Sequence, residues 1–203
     1  MTRQIWFTSD THFGSYGIIR MDNRPFRNTT EMDKTLIDNW NSVVGGNDIV
    51  YHLGDVLHHS MRKHYSEILE QLHGHIHLIA GNHDDDLVSQ WKNGHLTEKA
   101  HKKIVGVSEM TTFRDHKRCY ILCHYPIVCY RNRFHTRGDN EAARTAMLYG
   151  HVHTTGEYDM LQNLIKRQET PMRLLNVGCM LHNYTPINME DVMPMIDAEQ
   201  GDM

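Results

Sequence analysis

The sequence predicts an α/β protein, because short apolar runs of strand length recur along it and stretches with helical periodicity lie between them. A third observation bears on function as well as fold: each of these runs ends in a cluster of Asp, Asn or His. At 203 residues and 39% hydrophobic content, one well-buried domain is expected rather than two.

In chain order, the runs IWFTS at 5–9, IVYHL at 49–53, IHLIA at 76–80, CYILC at 119–123 and AMLY at 146–149 have the β-branched and aromatic content of strands. Between the first two, a helix opens at Thr30. Met32, Leu36, Ile37, Trp40, Val43 and Val44 fall on one face of it, and Asp33 completes a capping box. A second amphipathic helix covers 61–72 and a third 158–167. The segment 95–118 is polar and weakly patterned, but Met110 to Phe113 can pair with Cys119 to Cys123 as a hairpin. Residues 1–188 are assigned to one domain. Residues 189–203, rich in Asp, Met and Glu towards their end, are read as a loose C-terminal tail.

A formal charge of -4 leaves no sequence-wide basic character, so bulk attraction to nucleic acid or to an anionic membrane is not expected. The start turns polar after one short apolar run, unlike a signal peptide, and no window is long enough for a membrane span. Cys119, Cys123, Cys129 and Cys179 form no CxxC pair and are read as reduced thiols, which points to the cytoplasm. The 17 histidines make metal chemistry the first hypothesis to test.

The strand ends supply the donors. They read Asp10-Thr11-His12, Gly54-Asp55, Gly81-Asn82-His83-Asp84, His124-Tyr125-Pro126 and Gly150-His151-Val152-His153. Loops at the carboxyl ends of strands in α/β sheets converge on one crevice, so clusters far apart in sequence can meet. Imidazole, carboxylate and amide oxygen without thiolate suit Mn, Fe, Zn or Ni, with manganese favoured. Seven donors are too many for one ion and enough for two sharing a bridge. Gly54, Gly81 and Gly150 are expected to permit the tight turns before the ligands. Taken singly, each residue has a plainer reading: Asp10 and Asp55 as turn formers, Asn82 as a left-handed turn residue, His124 as a core histidine, His151 and His153 as an exposed pair. The ordered set outweighs these.

That set, with LLNVGCM at 174–180, resembles the calcineurin-like metallophosphoesterase superfamily over most of the chain. The resemblance implies an α/β sandwich of two mixed sheets flanked by helices. It further implies that Asp10, His12 and His153 hold one ion, that Asn82, His124 and His151 hold the other, and that Asp55 bridges. His83 would face the substrate as general acid and charge stabiliser, with Asp84 orienting it or buttressing the turn. The expected reaction is hydrolysis of a phosphodiester or phosphomonoester by a hydroxide bridging the ions. Ser15 stands where small bacterial and phage members are expected to carry His.

Further candidates are local. His58 and His59 follow Asp55 closely enough to support the ligands or touch substrate, or are solvated loop residues. Arg24 could clamp a phosphate or form a surface salt bridge. The stretch from Tyr130 to Arg137, including Arg131 and Arg133, interleaves cations with aromatics; it reads first as a solvated charge run, and its alternative, a grip on a nucleotide, gives a small nucleotide-like diester a slight preference among substrates. Two other classes remain: a non-catalytic, metal-containing protein-binding module, and a nuclease on DNA or RNA, for which the chain lacks a wide basic surface. Oligomeric state is left open.

Overall fold

The computed structural model describes residues 3–115, 118–130, 145–167 and 172–201. Its nine strands among the described residues form two mixed sheets. In the larger, β1 (Ile5–Thr8), β2 (Ile49–His52), β3 (His75–Ile79) and β4 (Ile104–Ser108) run parallel, with β9 (Ile187–Asn188) antiparallel to β1, in the order β4-β3-β2-β1-β9. In the smaller, the hairpin of β5 (Met110–Arg114) and β6 (Cys119–Cys123) is extended in parallel by β7 (Thr145–Tyr149) and β8 (Leu174–Asn176). The expected hairpin is present, in the register Met110↔Cys123.

Alternation along the strands builds the sandwich. Phe7 of β1, Tyr120 and Leu122 of β6, and Ala146 and Leu148 of β7 share one cluster between the sheets. The alternate residues Ile121, Cys123, Met147 and Tyr149 face outward into a second cluster completed by Leu161 of α6 (Gly156–Lys166). On the outer face of the larger sheet, Val50, Ile76 and Leu78 meet helices α1 (Tyr16–Met21), α2 (Thr29–Val43), α3 (Tyr65–Gln71), α4 (Asp85–Lys92) and α5 (Glu98–Lys103). Trp40, the largest fully buried side chain, anchors α2 there. Among the described residues no helix is long and apolar enough to cross a membrane.

Three details differ from expectation. Helix α2 is capped by Asn28, whose side chain accepts from the Glu31 N–H at 2.9 Å; Asn is the stronger cap, and it frees Asp33 to accept from the Gly14 N–H instead. Helix α5 and β4 lie in the segment read as unpatterned, because α5 buries only Ala100 and so carries no apolar stripe. The supposed tail is helix α7 (Met189–Gly201), which packs on β1, β8 and β9. Its Val192, Met193 and Ile196 lie on one face and close the cluster between the sheets, so residues 189–201 belong to the fold.

Candidate metal centre

The parallel strands aim their carboxyl ends at one edge of the sandwich, and pairing continues past them. Leu53 N–H donates to Thr8 O, Asp10 N–H to Gly54 O, and His12 N–H to Asp55 O, at 2.8–3.0 Å. Asp10, His12, Asp55, His151 and His153 all have φ between 48° and 71°, the left-handed region. Such a residue costs about 1–2 kcal/mol, and five of the seven expected ligands adopt it. The strain is held by surrounding bonds and turns each side chain into the crevice.

Two clusters result. Asp10, His12, Asp55 and His153 place one donor atom each within 4.8 Å of one another, as do Asp55, His124 and His151. Asp55 belongs to both: its Oδ2 lies 3.5 Å from His12 Nε2 and 3.5 Å from His124 Nε2. Asn82 Oδ1 reaches to 3.1 Å from His124 Nε2, so all seven expected ligands gather here. His83 stands at the solvent rim, its N–H donating to Asp55 Oδ1 at 2.9 Å and its ring 5.5 Å from that of His12. Asn82 and His83 are exposed whereas Asp10, His12, Asp55, His124 and His153 are buried, so the site opens on their side.

The donor chemistry fits cations. Burial pulls the His12 imidazole down to about 3, leaving a neutral ring, and its buried Nε2 has no hydrogen-bond partner among the described residues. Leu53 O can only accept, so His124 carries its proton on Nδ1 and turns Nε2 inward. There it meets Asn82 Oδ1 at 3.1 Å and His151 Nδ1 at 3.2 Å, three atoms able to offer lone pairs to one cation. Burial lowers His124, but the contact with Asp55 and the charge of Asp10 outweigh it and lift the ring to about 9. Asp55 shows the reciprocal effect: burial would raise it, yet His124, then His12, and the His83 N–H hold it below the ordinary carboxylate range.

The glycines work differently from expectation. Of Gly54, Gly81 and Gly150, only Gly54 is left-handed, at φ 92°. Gly150 is required for space, since a Cβ there would collide with Ser9 Oγ and the Asp10 carboxylate; Gly81 likewise clears Asp55. Asp84 buttresses the turns, its carboxylate accepting the N–H groups of Asp55, Val56 and Gly81 at 2.8–3.0 Å.

Arg24 neither clamps a phosphate nor forms a surface salt bridge. Its side chain is fully buried and donates to Asp10 O, Thr11 O and the Asp22 carboxylate. Asp22, which sequence reasoning passed over, also accepts from His153 Nδ1 at 2.9 Å. The hydrogen bonds of His58 go to Ser60, capping a short turn, and His59 beside it is exposed. Ser15 caps α1, accepting from the Ile18 N–H. Arg131 and Arg133, with the rest of 131–137, lie outside the described residues.

Residues 4–191 match the model of the calcineurin-like phosphoesterase superfamily domain. An uncharacterized protein of Methanocaldococcus jannaschii is 33% identical over 198 residues, 96% of this chain and 92% of the relative. The gene 66 protein of Mycobacterium phage L5 is 37% identical over 81 residues, 39% of each chain. In structure, a protein of unknown function from Aquifex aeolicus superposes with a TM-score of 0.65 at 20% identity, covering 96% of this chain and 100% of its own, which shows a shared fold.

Proposed function

Because this chain belongs to the calcineurin-like phosphoesterase superfamily, we propose that it is a metal-dependent hydrolase of phosphate esters with a two-ion centre. Asp10, His12 and His153 would hold one ion, Asn82, His124 and His151 the other, and Asp55 both. The observation that carries this reading is the position of Asp55 Oδ2, equidistant at 3.5 Å from an imidazole of each cluster. When bound, two divalent ions would supply Lewis acidity for the phosphoryl oxygens and a water whose pKa is lowered to about 7. Manganese is the favoured ion, with iron, zinc or nickel compatible with the same donors.

The chain's own residues do the rest. Leu53 O holds His124, and Asp84 holds the turn that presents Asp55, so the ligands are oriented in advance. His83 at the open rim donates a proton from a ring nitrogen to the departing oxygen. A small nucleotide-like diester is the preferred substrate, on the strength of the arginines and aromatics in the sequence from Tyr130 to Arg137. A cytoplasmic location is proposed with it, from the reading of Cys119, Cys123, Cys129 and Cys179 as reduced thiols.

The role of His83 is tested with His83→Ala on two esters. An alkyl leaving group should lose about 10²–10⁴-fold in kcat, and a nitrophenolate, which needs no proton, should lose far less. Equal losses on both would remove the general-acid role.

A further inference from the structure

We propose that Asp22 is a positioning residue for His153, and that Arg24 fixes Asp22 and the Asp10–Thr11 backbone together. This buried pair then sets the affinity of the Asp10, His12 and His153 cluster for its ion. The proposal rests on reading that cluster as half of a metal centre.

The geometry is specific. Asp22 sits at the C-terminal cap of α1, where its N–H donates to Ile18 O. Its Oδ2 accepts from His153 Nδ1 at 2.9 Å, a contact spanning 131 residues of sequence. The same oxygen accepts from Arg24 Nε at 3.2 Å and Nη2 at 3.1 Å. A carboxylate held by Arg24 can only accept, so the His153 proton is confined to Nδ1. In the neutral ring Nε2 is thereby left with its lone pair, 3.6 Å from Asp10 Oδ1 and facing the crevice.

Arg24 acts on the other side of the cluster as well. Nη2 donates to Asp10 O at 2.8 Å and Nη1 to Thr11 O at 3.0 Å. Asp10 and His153 both have left-handed backbones, so one buried guanidinium restrains two strained ligands, directly in one case and through Asp22 in the other. The planar fork spans these acceptors at once; a lysine ammonium, a point donor, does not. Full burial of both side chains excludes direct contact with substrate. Among the described residues neither Asp22 nor Arg24 hydrogen-bonds to Asn82, His124 or His151; His124 is held by Leu53 O, and only His151 is reached, indirectly, through its N–H to the Asp10 carboxylate. The effect therefore falls chiefly on one ion.

Two measurements on the full chain test this. Nitrogen-15 NMR of the histidine side chains, with the His153 signals assigned through His153→Gln, should show wild-type His153 protonated on Nδ1. In Asp22→Asn an Nε2-protonated population should appear. Calorimetric titration with Mn²⁺ alone should show two sites in the wild type. Asp22→Asn and Arg24→Lys should each weaken one site about 10–100-fold and leave the other within about twofold. A neutral wild-type His153 that carries its proton on Nε2 overturns the proposal without any variant having to fold. Equal weakening of both sites, or of neither, also overturns it while sparing the two-ion reading; a wild type that takes up no Mn²⁺ overturns both.

Discussion

The backbone N–H of His151 donates to both oxygens of the Asp10 carboxylate, at 3.1 Å each, across 141 residues of sequence. The first and last ligand loops are thus tied by the protein itself. Asp10→Asn keeps an acceptor for this N–H and should lose affinity for one ion with little change in Tm. Asp10→Ala leaves the N–H without its acceptor and should cost a further 1–3 kcal/mol or so. Denaturant unfolding of the two variants with chelator present separates the tie from the ligand.

Gly150→Ala places a methyl against the Asp10 carboxylate and Ser9. Destabilisation of about 1–3 kcal/mol is expected, together with loss of metal affinity, because the carboxylate must move. Gly46→Ala, where a Cβ meets nothing within 4 Å, should stay within about 0.5 kcal/mol. Equal effects in the two variants would remove the spatial argument.

The pH dependence follows from His124 and Asp55. His124 is lifted from 6.5 to about 9, so its contribution to stability is complete below about pH 6.5 and lost as pH rises through about 9. Asp55 is held below its ordinary 3.8, so its contribution is present above that value and lost on further acidification. Thermal unfolding in chelator should therefore show Tm declining between pH 6.5 and 9. Excess Mn²⁺ should flatten that decline, since the ion takes the place of the His124 proton. Mn²⁺ added to weakly buffered protein at pH 7.5 should release about one proton from this ring. No release would contradict the inward-facing Nε2.

Helix α7 is tested by Ile196→Ala. Ile196 is fully buried between the sheets, and its truncation should cost about 2–5 kcal/mol in denaturant unfolding. A loose tail would show no change.

The ligand set was legible because each donor follows directly on an apolar run that forms a strand, so local order in sequence became convergence in space. The supporting residues were not legible in the same way. Asp22 and Arg24 look like an ordinary loop in MDNRPF, and their role depends on His153, 131 residues away. Gly150 was singled out for backbone freedom, yet its requirement is room for Asp10, a neighbour that only the tertiary structure supplies. Helix α7 was missed because its apolar stripe, interrupted by Pro194, gains meaning only from the gap it covers.

The most direct measurement is turnover of a model phosphodiester and a model phosphomonoester by metal-stripped protein, with and without Mn²⁺, beside Asp55→Asn. The expected result is hydrolysis that appears only with the ion and is lost in the variant that removes the shared carboxylate. Wild type that binds two ions but leaves both esters intact, or turnover that persists in Asp55→Asn, would contradict a hydrolytic centre built on Asp55.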